Sequence, residues 1–537
     1  MRVGAAFLVL GLILPIVGVG DASVAGAAST ARPNVIFILT DDLDATTYDP
    51  AAFPALRALM TSQGVTFSHF FVDDSLCCPS RATILRGQYV HNTGVLNNGP
   101  PTGGFERFHA NGLESSTVAT WLHARGYRTG LFGKYLNGYP NTASPGYVPP
   151  GWDAWASPSA GHPYAEFRYV LNENGRQVRY GRKPSDYLVD VLARKAVGFI
   201  KAQAGKHPFF AYVAPYAPHQ PATPAPRYVN AFPGVQAPRP PSFDQPTFVN
   251  EPGWLSSRPP LSPTVLDYIQ TLYRRRLQDM LAIDDLLRGV VTTLRQTGQL
   301  DHTYIFLGSD NGFHLGEHRL PPGKETAYDE DIRVPLFVRG PGIRAGGTVD
   351  QFAMNVDLAP TFAALAGAKA PSFVDGRSLV PLLGTAAPPR QWRGTALVEH
   401  FGMYRFHPRR RTTRPKRASP PTTGAAAKDP DDDESYNRAG AGASPRSPGH
   451  LPLSALNPYG VRVPPYHALR TTRYLYVEYV QGGRQLYDTT SDPYELRNIV
   501  ASASPALVSS LHQQLLHLEQ CHGQTCRQAD RAVAGQG

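Results

Sequence analysis

Cysteine is scarce in this chain, with four among 537 residues. A disulfide framework is thereby excluded as the main source of stability, and burial of an apolar core has to supply it. Cys521 and Cys526, in CHGQTC, close a short loop and are expected to pair. Metal ligation by that pair is the weaker reading, because no second Cys or His pair stands nearby at zinc-site spacing. Long apolar runs are also missing. The single candidate, Ala5 to Val19, is shorter than the ~20 residues that a membrane-spanning helix needs. With Arg2 before it and small residues up to Ala25 or Ala27 after it, residues 1–27 read as a secretory signal, a membrane anchor being the alternative. The expectation is a secreted, soluble protein without a stable membrane anchor. Acidic residues are in deficit, giving a net charge of +10. Ten Lys or Arg against five Asp or Glu fall between Arg405 and Arg446, so half of the excess sits in one stretch. The modest bias that remains points to no nucleic-acid partner and suits an anionic substrate.

What the chain does contain is the pattern of an α/β protein. NVIFILTDD, HPFFAYVAPYAPH and HTYIFLGSDNG are apolar runs that end in polar residues, the mark of strands buried on both faces of a parallel sheet. Helical stretches separate them, Ser115 to Gly126 and Asp267 to Gly298 among them. The alternation predicts a large, mostly parallel sheet flanked by helices. At this length a second domain is expected. Residues 406–453 turn to Arg, Pro, Ala, Gly and Asp, which predicts a disordered low-complexity insert. Tyr466 to Val480 and Arg484 to Asn498 read as hairpins of a small antiparallel sheet, closed by a helix from about Pro505 to Glu519. The expected division is a catalytic domain over 32–395, the insert, and a C-terminal α+β subdomain over 454–537.

Polar chemistry concentrates where strands end, which is where open α/β sheets bind ligands. Asp41 and Asp42 follow the first run, Asp310 and Asn311 follow another, and His219 follows a third. Four hard oxygen donors without clustered Cys or His suit Ca²⁺ or Mg²⁺ rather than zinc. Either pair taken alone is equally what a helix cap or an Asx-turn uses. Two adjacent thiols open CCPSRATILRG (Cys77 to Gly87), and Arg81 stands one helical turn after Cys77. A helix opening just after Pro79 would aim its N-terminus at an anion. Lys134, in LFGKYLNGY, and Lys324, in LPPGKETAYDEDIRVP, are ordinary surface charges if considered singly.

The segment from Cys77 to Gly87 resembles the signature of type I sulfatases, C-x-P-S-R-x-x-x-L-x-G, with Cys77, Pro79, Ser80, Arg81, Leu85 and Gly87 in register. The bland alternative is a pair of thiols in a buried turn or a disulfide. The resemblance implies that Cys77 is oxidised to Cα-formylglycine by a formylglycine-generating enzyme and acts as the nucleophile. It implies that Asp41, Asp42, Asp310, Asn311 and an oxygen of the modified Cys77 ligate one ion, Ca²⁺ or alternatively Mg²⁺. By the same resemblance Arg81 holds the modified residue, Lys134 and Lys324 grip the sulfate, and His219 helps to protonate the leaving group.

Two departures from the family pattern stand out. Arg86 occupies a position usually held by Thr. Lys134-Tyr135-Leu136 stands where many members have Lys-x-His, so the role of that histidine is unassigned, with His91 and His314 as candidates. CCPSR, YVHN followed by Asn97 and Asn98, GKYLN and SDNGFHLGEH resemble the N-acetylglucosamine-6-sulfatases and heparan endosulfatases. The implied substrate is a 6-O-sulfated N-acetylglucosamine or a related sulfated glycan. The alternatives are a broad arylsulfatase, a phosphonate or phosphate-ester hydrolase of the wider alkaline phosphatase superfamily, and an inactive sulfated-glycan-binding protein.

Overall fold

A computed structural model describes residues 32–384, 387–402 and 462–531, apart from 46, 48 and 50, together with Met1. The expected signal over 1–27 and the expected insert over 406–453 lie outside the described residues.

The run NVIFILT becomes β1 (Asn34–Thr40), buried along its whole length. In chain order the other strands are β2 (Val65–Phe67), β3 (Phe70–Phe71), β4 (Arg128–Gly133), β5 (Ala154–Gly161), β6 (Tyr169–Glu173), β7 (Arg176–Arg179), β8 (Phe209–Ala214), β9 (Thr303–Ser309), β10 (Leu336–Arg339), β11 (Gly347–Val349), β12 (Ala353–Met354), β13 (Thr395–His400), β14 (Tyr466–Thr471), β15 (Tyr474–Tyr479) and β16 (Arg484–Asp488). Among the described residues ten strands form one sheet, in the order β11-β2-β10-β9-β1-β8-β4-β5-β6-β7. Its centre, β9-β1-β8-β4-β5, is parallel. Antiparallel pairs flank it, β10 with β9 and β2 on one side, β5-β6-β7 on the other, with β11 parallel to β2 at the far edge. The expected mostly parallel sheet is thus parallel where it is covered on both faces and mixed toward its edges. Between β6 and β7 a tight turn replaces the crossover that a parallel pair would need. Asn174 and Gly175 join β6 to β7, both with positive φ, as a two-residue hairpin turn demands.

Six helices matter below: α1 (Cys77–Arg86), α2 (Val118–Ala124), α3 (Leu188–Gln203), α4 (Pro263–Gln296), α5 (Leu358–Leu365) and α6 (Pro505–Glu519). Ser262 caps α4 by accepting from Val265 N, with Pro263 in the first turn. Val265, Tyr268, Ile269, Leu272, Arg276, Met280 and Ile283 then turn inward at helical spacing. Alternation along β1 divides the core in two. Ile36 and Ile38 pack with α3 and α4, whereas Val35, Phe37 and Leu39 pack with Leu85 of α1, Leu122 of α2 and Phe362 of α5.

β13 to β16 form the small antiparallel sheet, with α6 against it over the span expected. Its opening strand lies on the near side of the insert, so the small sheet begins at Thr395 rather than after residue 454. Its Leu469 and Tyr476, with Leu511 and Leu518 of α6, share one apolar core with Val35 and Phe37 of β1. Cys521 and Cys526 are disulfide-bonded, as expected.

Candidate active site and metal centre

Parallel strands put their carboxyl ends along one edge, and that edge assembles the site. Asp41 and Asp42 follow β1, Asp310 and Asn311 follow β9 beside it, Lys134 follows β4, and His219 lies five residues beyond β8. Backbone bonds fix these exits. Asp310 N donates to the Thr40 carbonyl at 3.2 Å, and Lys134 N to the Ala214 carbonyl at 2.7 Å. That second bond needs Gly133, whose φ is +122° and whose Cβ, were there one, would lie 1.9 Å from the Ala214 oxygen. Asp42 also has a positive φ, 64°, held by Asp310 Oδ1, which accepts from Asp42 N at 3.1 Å.

α1 begins at Cys77, three residues earlier than expected, with Pro79 inside its first turn. Leu76, at the N-cap, has no capping side chain. Asn98 caps from a distance instead, its Oδ1 accepting from Cys78 N at 2.8 Å. The signature's Gly87 ends the helix in the left-handed region, φ 67°, and donates to the Thr83 carbonyl at 2.7 Å. Ser80 donates to the Asp310 carbonyl, and Thr83 to Asp73, which also accepts from Asn355. Arg86 lies at the opposite end of α1 from Cys77. It donates to the carbonyls of Leu113 and Ser116 and stacks on Phe373, so it serves packing there.

Cys77 Sγ receives Lys324 Nζ at 2.8 Å and lies 3.4 Å from Asp41 Oδ1 and 4.0 Å from Asp42 Oδ1. Lys324 Nζ also donates to Asp42 Oδ1 at 2.8 Å, and Lys134 Nζ to Asp41 Oδ2 at 2.8 Å. Arg81, fully buried, donates from Nε to Asp310 Oδ2 at 2.7 Å and from Nη1 to the Lys134 carbonyl at 3.1 Å. His219 Nδ1 faces the Gln220 carbonyl at 2.6 Å, which places the proton on Nδ1 and turns Nε2 toward Asp42 Oδ2, 3.5 Å away. Ligand atoms of Asp41, Asp42, Cys77 and His219 all lie within 4.8 Å of one another. His91 is not gathered with them. Its ring nitrogens engage Glu399 at 2.8 Å and the Cys521 carbonyl at 2.9 Å. His314 binds Asp331 through Nδ1 at 3.0 Å, and its Nε2 faces Gly323, next to Lys324.

Burial pushes the Asp41 carboxyl up, but Lys134, Arg81, His219 and Lys324 outweigh it and hold the group below the usual carboxylate range. Burial dominates at Asp310, which rises to about 6 despite Arg81. Arg81 is opposed by burial, yet Asp310 and Asp41 keep it charged. Burial also pushes the Cys78 thiol up to about 12, leaving it protonated and inert.

The donor set suits a hard cation. Asp42 Oδ2 and Asn311 Oδ1 are buried without a hydrogen-bond partner, and three fully buried carboxylates meet there. Asp41, Asp42, Asp310 and Asn311 could therefore hold Ca²⁺ or Mg²⁺. Sequence reasoning missed the aromatic wall behind the site. The ring of Tyr164 lies 4.5 Å from that of His219 and 4.9 Å from Lys134 Nζ, and Tyr216 backs it at 4.7 Å. Tyr164 falls in no motif, and Tyr216, three residues before His219, carries nothing that sets it apart from an ordinary core aromatic.

Residues 33–368 match the family described as Sulfatase. The chain is 35% identical over 527 residues to the N-acetylglucosamine-6-sulfatase of Homo sapiens, covering 97% of this chain and 89% of that protein. It is 35% identical over 384 residues to an extracellular sulfatase homologue of Drosophila melanogaster, covering 70% of this chain and 34% of that one. Among solved structures, a protein in complex with its substrate D-glucosamine-2-N,6-O-disulfate superposes with a TM-score of 0.70 at 22% identity, covering 93% of this chain and 99% of that chain.

Proposed function

The chain belongs to the sulfatase family and is a sulfuric ester hydrolase, and from that premise we propose that Cys77, oxidised to Cα-formylglycine, cleaves 6-O-sulfated N-acetylglucosamine or a related sulfated glycan. One observation carries the reading. Cys77 starts a buried helix at the point where Lys324, Asp41 and Asp42 converge on its Sγ.

Once converted by a formylglycine-generating enzyme, Cys77 supplies a hydrated aldehyde, one hydroxyl of which attacks sulfur while the other later expels sulfate and restores the aldehyde. Asp41, Asp42, Asp310, Asn311 and the oxygen of the converted residue would hold a divalent ion, Ca²⁺ in our reading with Mg²⁺ as the alternative, which would supply positive charge to activate the hydroxyl and offset the sulfate. The remaining work falls to the chain's own side chains. Lys134 and Lys324 bind sulfate oxygens and stabilise the charge that grows as the ester bond breaks. Arg81 neutralises Asp41 and Asp310 from below and fixes the helix that carries the nucleophile. The positive end of the α1 dipole lies on the same side as the anion, although Cys78 N is already taken by Asn98 and Pro79 has no N–H to offer. As the sulfur–oxygen bond to the leaving alcohol breaks, protonated His219 gives its Nε2 proton to the departing oxygen. Tyr164 and Tyr216 exclude water behind Lys134 and His219. Export through the signal expected over 1–27 belongs to the same reading. Among the described residues no helix is long and apolar enough to cross a membrane.

The test is the mass of the tryptic peptide containing Cys77, with sulfate release from 6-O-sulfated N-acetylglucosamine and from an aryl sulfate measured on the same preparation. A peptide lighter by about 18 Da than the cysteine form, together with release from the sugar, is the expected result. Release by protein whose Cys77 is an intact thiol would overturn the nucleophile. Release from the aryl ester alone would transfer the substrate to the broad arylsulfatase reading. A converted protein with no release from either would favour a sulfated-glycan-binding role.

A further inference from the structure

A second group of unsatisfied ligand atoms lies outside the catalytic centre. His318, Glu330 and Glu495 each present one, and the three lie within 4.8 Å of one another. The other polar atoms of these side chains are already engaged. Gln245 Nε2 donates to the Thr247 carbonyl at 2.9 Å, which turns Gln245 Oε1 toward His318 Nδ1 at 2.8 Å. His318 therefore carries its proton on Nδ1 and a lone pair on Nε2. Glu495 Oε2 accepts from Asp329 N at 3.1 Å, and Glu330 Oε1 from the Ser242 hydroxyl at 3.4 Å. What remains is His318 Nε2, Glu330 Oε2 and Glu495 Oε1, and all three atoms are buried without a hydrogen-bond partner. The His318 ring stacks on Tyr328 with centroids 3.8 Å apart, so it is not free to turn elsewhere.

Two buried carboxylates and a fixed imidazole lone pair form an acceptor-only pocket, which is costly to leave unfilled. We propose that His318, Glu330 and Glu495 bind a second divalent cation, Zn²⁺, distinct from the ion of the catalytic centre. The ligand chemistry separates the two sites. The catalytic set is all oxygen, whereas one imidazole with two carboxylates is a mixed set that favours zinc, with the fourth position open to water. Zinc–ligand bonds of about 2.0–2.2 Å put tetrahedral ligands roughly 3.3–3.6 Å apart, which small side-chain rotations reach from the present spacing. Burial, with Glu317 near Glu330 and with Asp329 and Glu330 near Glu495, drives both carboxyls well upward, and burial holds His318 at about 3 and so neutral. A dication reverses the first effect and uses the second.

The position suggests what the ion does. His318 and Glu330 bracket the segment that carries Lys324, and Glu495 follows β16 of the small sheet. One ion there clips both ends of that segment to the C-terminal part of the chain.

The experiment uses full-length protein, stripped with a zinc chelator, repleted with Ca²⁺ and then given ZnCl₂ before desalting. Metal content is measured by mass spectrometry and Tm by calorimetry, for the wild type, His318→Phe and Glu330→Gln. Phenylalanine keeps the stack on Tyr328, and glutamine keeps shape, so at least one variant is expected to fold. The expected result is about one more zinc per chain in the wild type than in either variant, with a zinc-dependent rise in Tm confined to the wild type. Equal zinc in the wild type and a folded variant, or a wild-type Tm indifferent to zinc, would overturn the site and leave a proton shared between Glu330 and Glu495 as the explanation.

Discussion

Two adjacent thiols have different surroundings, one facing the site and the other the core. Cys77 meets Lys324 and two aspartates, whereas Cys78 is held off at about 12 by burial. Cys77→Ala is accordingly expected to lower sulfate release by a factor of roughly 10⁴ or more with the fold and metal binding largely intact, since Asp41, Asp42, Asp310 and Asn311 remain, and Cys78→Ala to lower it by less than about tenfold. Parallel rates and calcium analysis on the two variants check this. His219 gives a sharper handle, because a proton donor matters most when the leaving group is poor. His219→Ala should cost about 10²–10⁴ on a sugar sulfate and much less on a nitrophenyl sulfate, whose phenolate leaves unaided. Equal losses on both esters would remove it from the proton-transfer role. At this scale the sequence was most legible where spacing is local: Cys77, Arg81 and the two oxygen pairs follow from a short signature and from strand ends. The parts played by Tyr164 and Asn98 were not, because each acts across a distance that no local pattern records. The pattern also left the place of Arg86 open, and only the packing against Phe373 settled it.

Individual elements show the same division. α6 was readable over its span, whereas α4, expected from Asp267, starts four residues earlier at Pro263, where Ser262 caps it. The start of α1 was misplaced because its own N-cap residue is Leu76, and the capping oxygen arrives from Asn98. One join between elements is sensitive to pH. His91, in the short helix Val90–Thr93, pairs with buried Glu399 of β13. Burial disfavours the charged imidazole, but Glu399 and the Cys521 carbonyl raise it to about 9, while His91 and His467 bring Glu399 down to about 2 against its own burial. A histidine raised on folding stabilises fully below its unfolded value near 6.5, and that contribution is lost as pH climbs through about 9. Unfolding free energy should therefore fall by on the order of 2–3 kcal/mol between pH 6.5 and 9.5. His91→Gln should flatten that slope, which denaturant titrations at several pH values would measure. A slope unchanged in the variant would assign the pH dependence elsewhere.

The molecule as a whole was legible as an α/β sheet with a small antiparallel partner, but not in where the partner begins. β13 is a single strand with no partner nearby in sequence, so nothing in its local pattern tied it to strands that follow the insert. The register sets His400 of β13 opposite Tyr466 of β14, so the chain leaves and re-enters the small sheet at one point. Replacing residues 406–453 by a short Gly/Ser turn is therefore expected to leave Tm within a few degrees and sulfate release within about twofold, since loop-closure entropy changes slowly with length. A collapse of either quantity would give the insert a structural or substrate-binding duty. The last consequence concerns time rather than space. Cys77 has no exposed surface and sits in the first turn of a buried helix, so an enzyme that must seat the whole segment around the thiol could not do so in the folded protein. Under the proposed maturation, folding and oxidation are competitors, and the oxidation is expected to come before residues 77–87 are packed against the sheet. Protein allowed to fold first should stay permanently unconverted when the generating enzyme is added afterwards, while the unfolded chain or a peptide spanning Cys77 to Gly87 should be converted, so a chain that folds too fast would be well formed and inert.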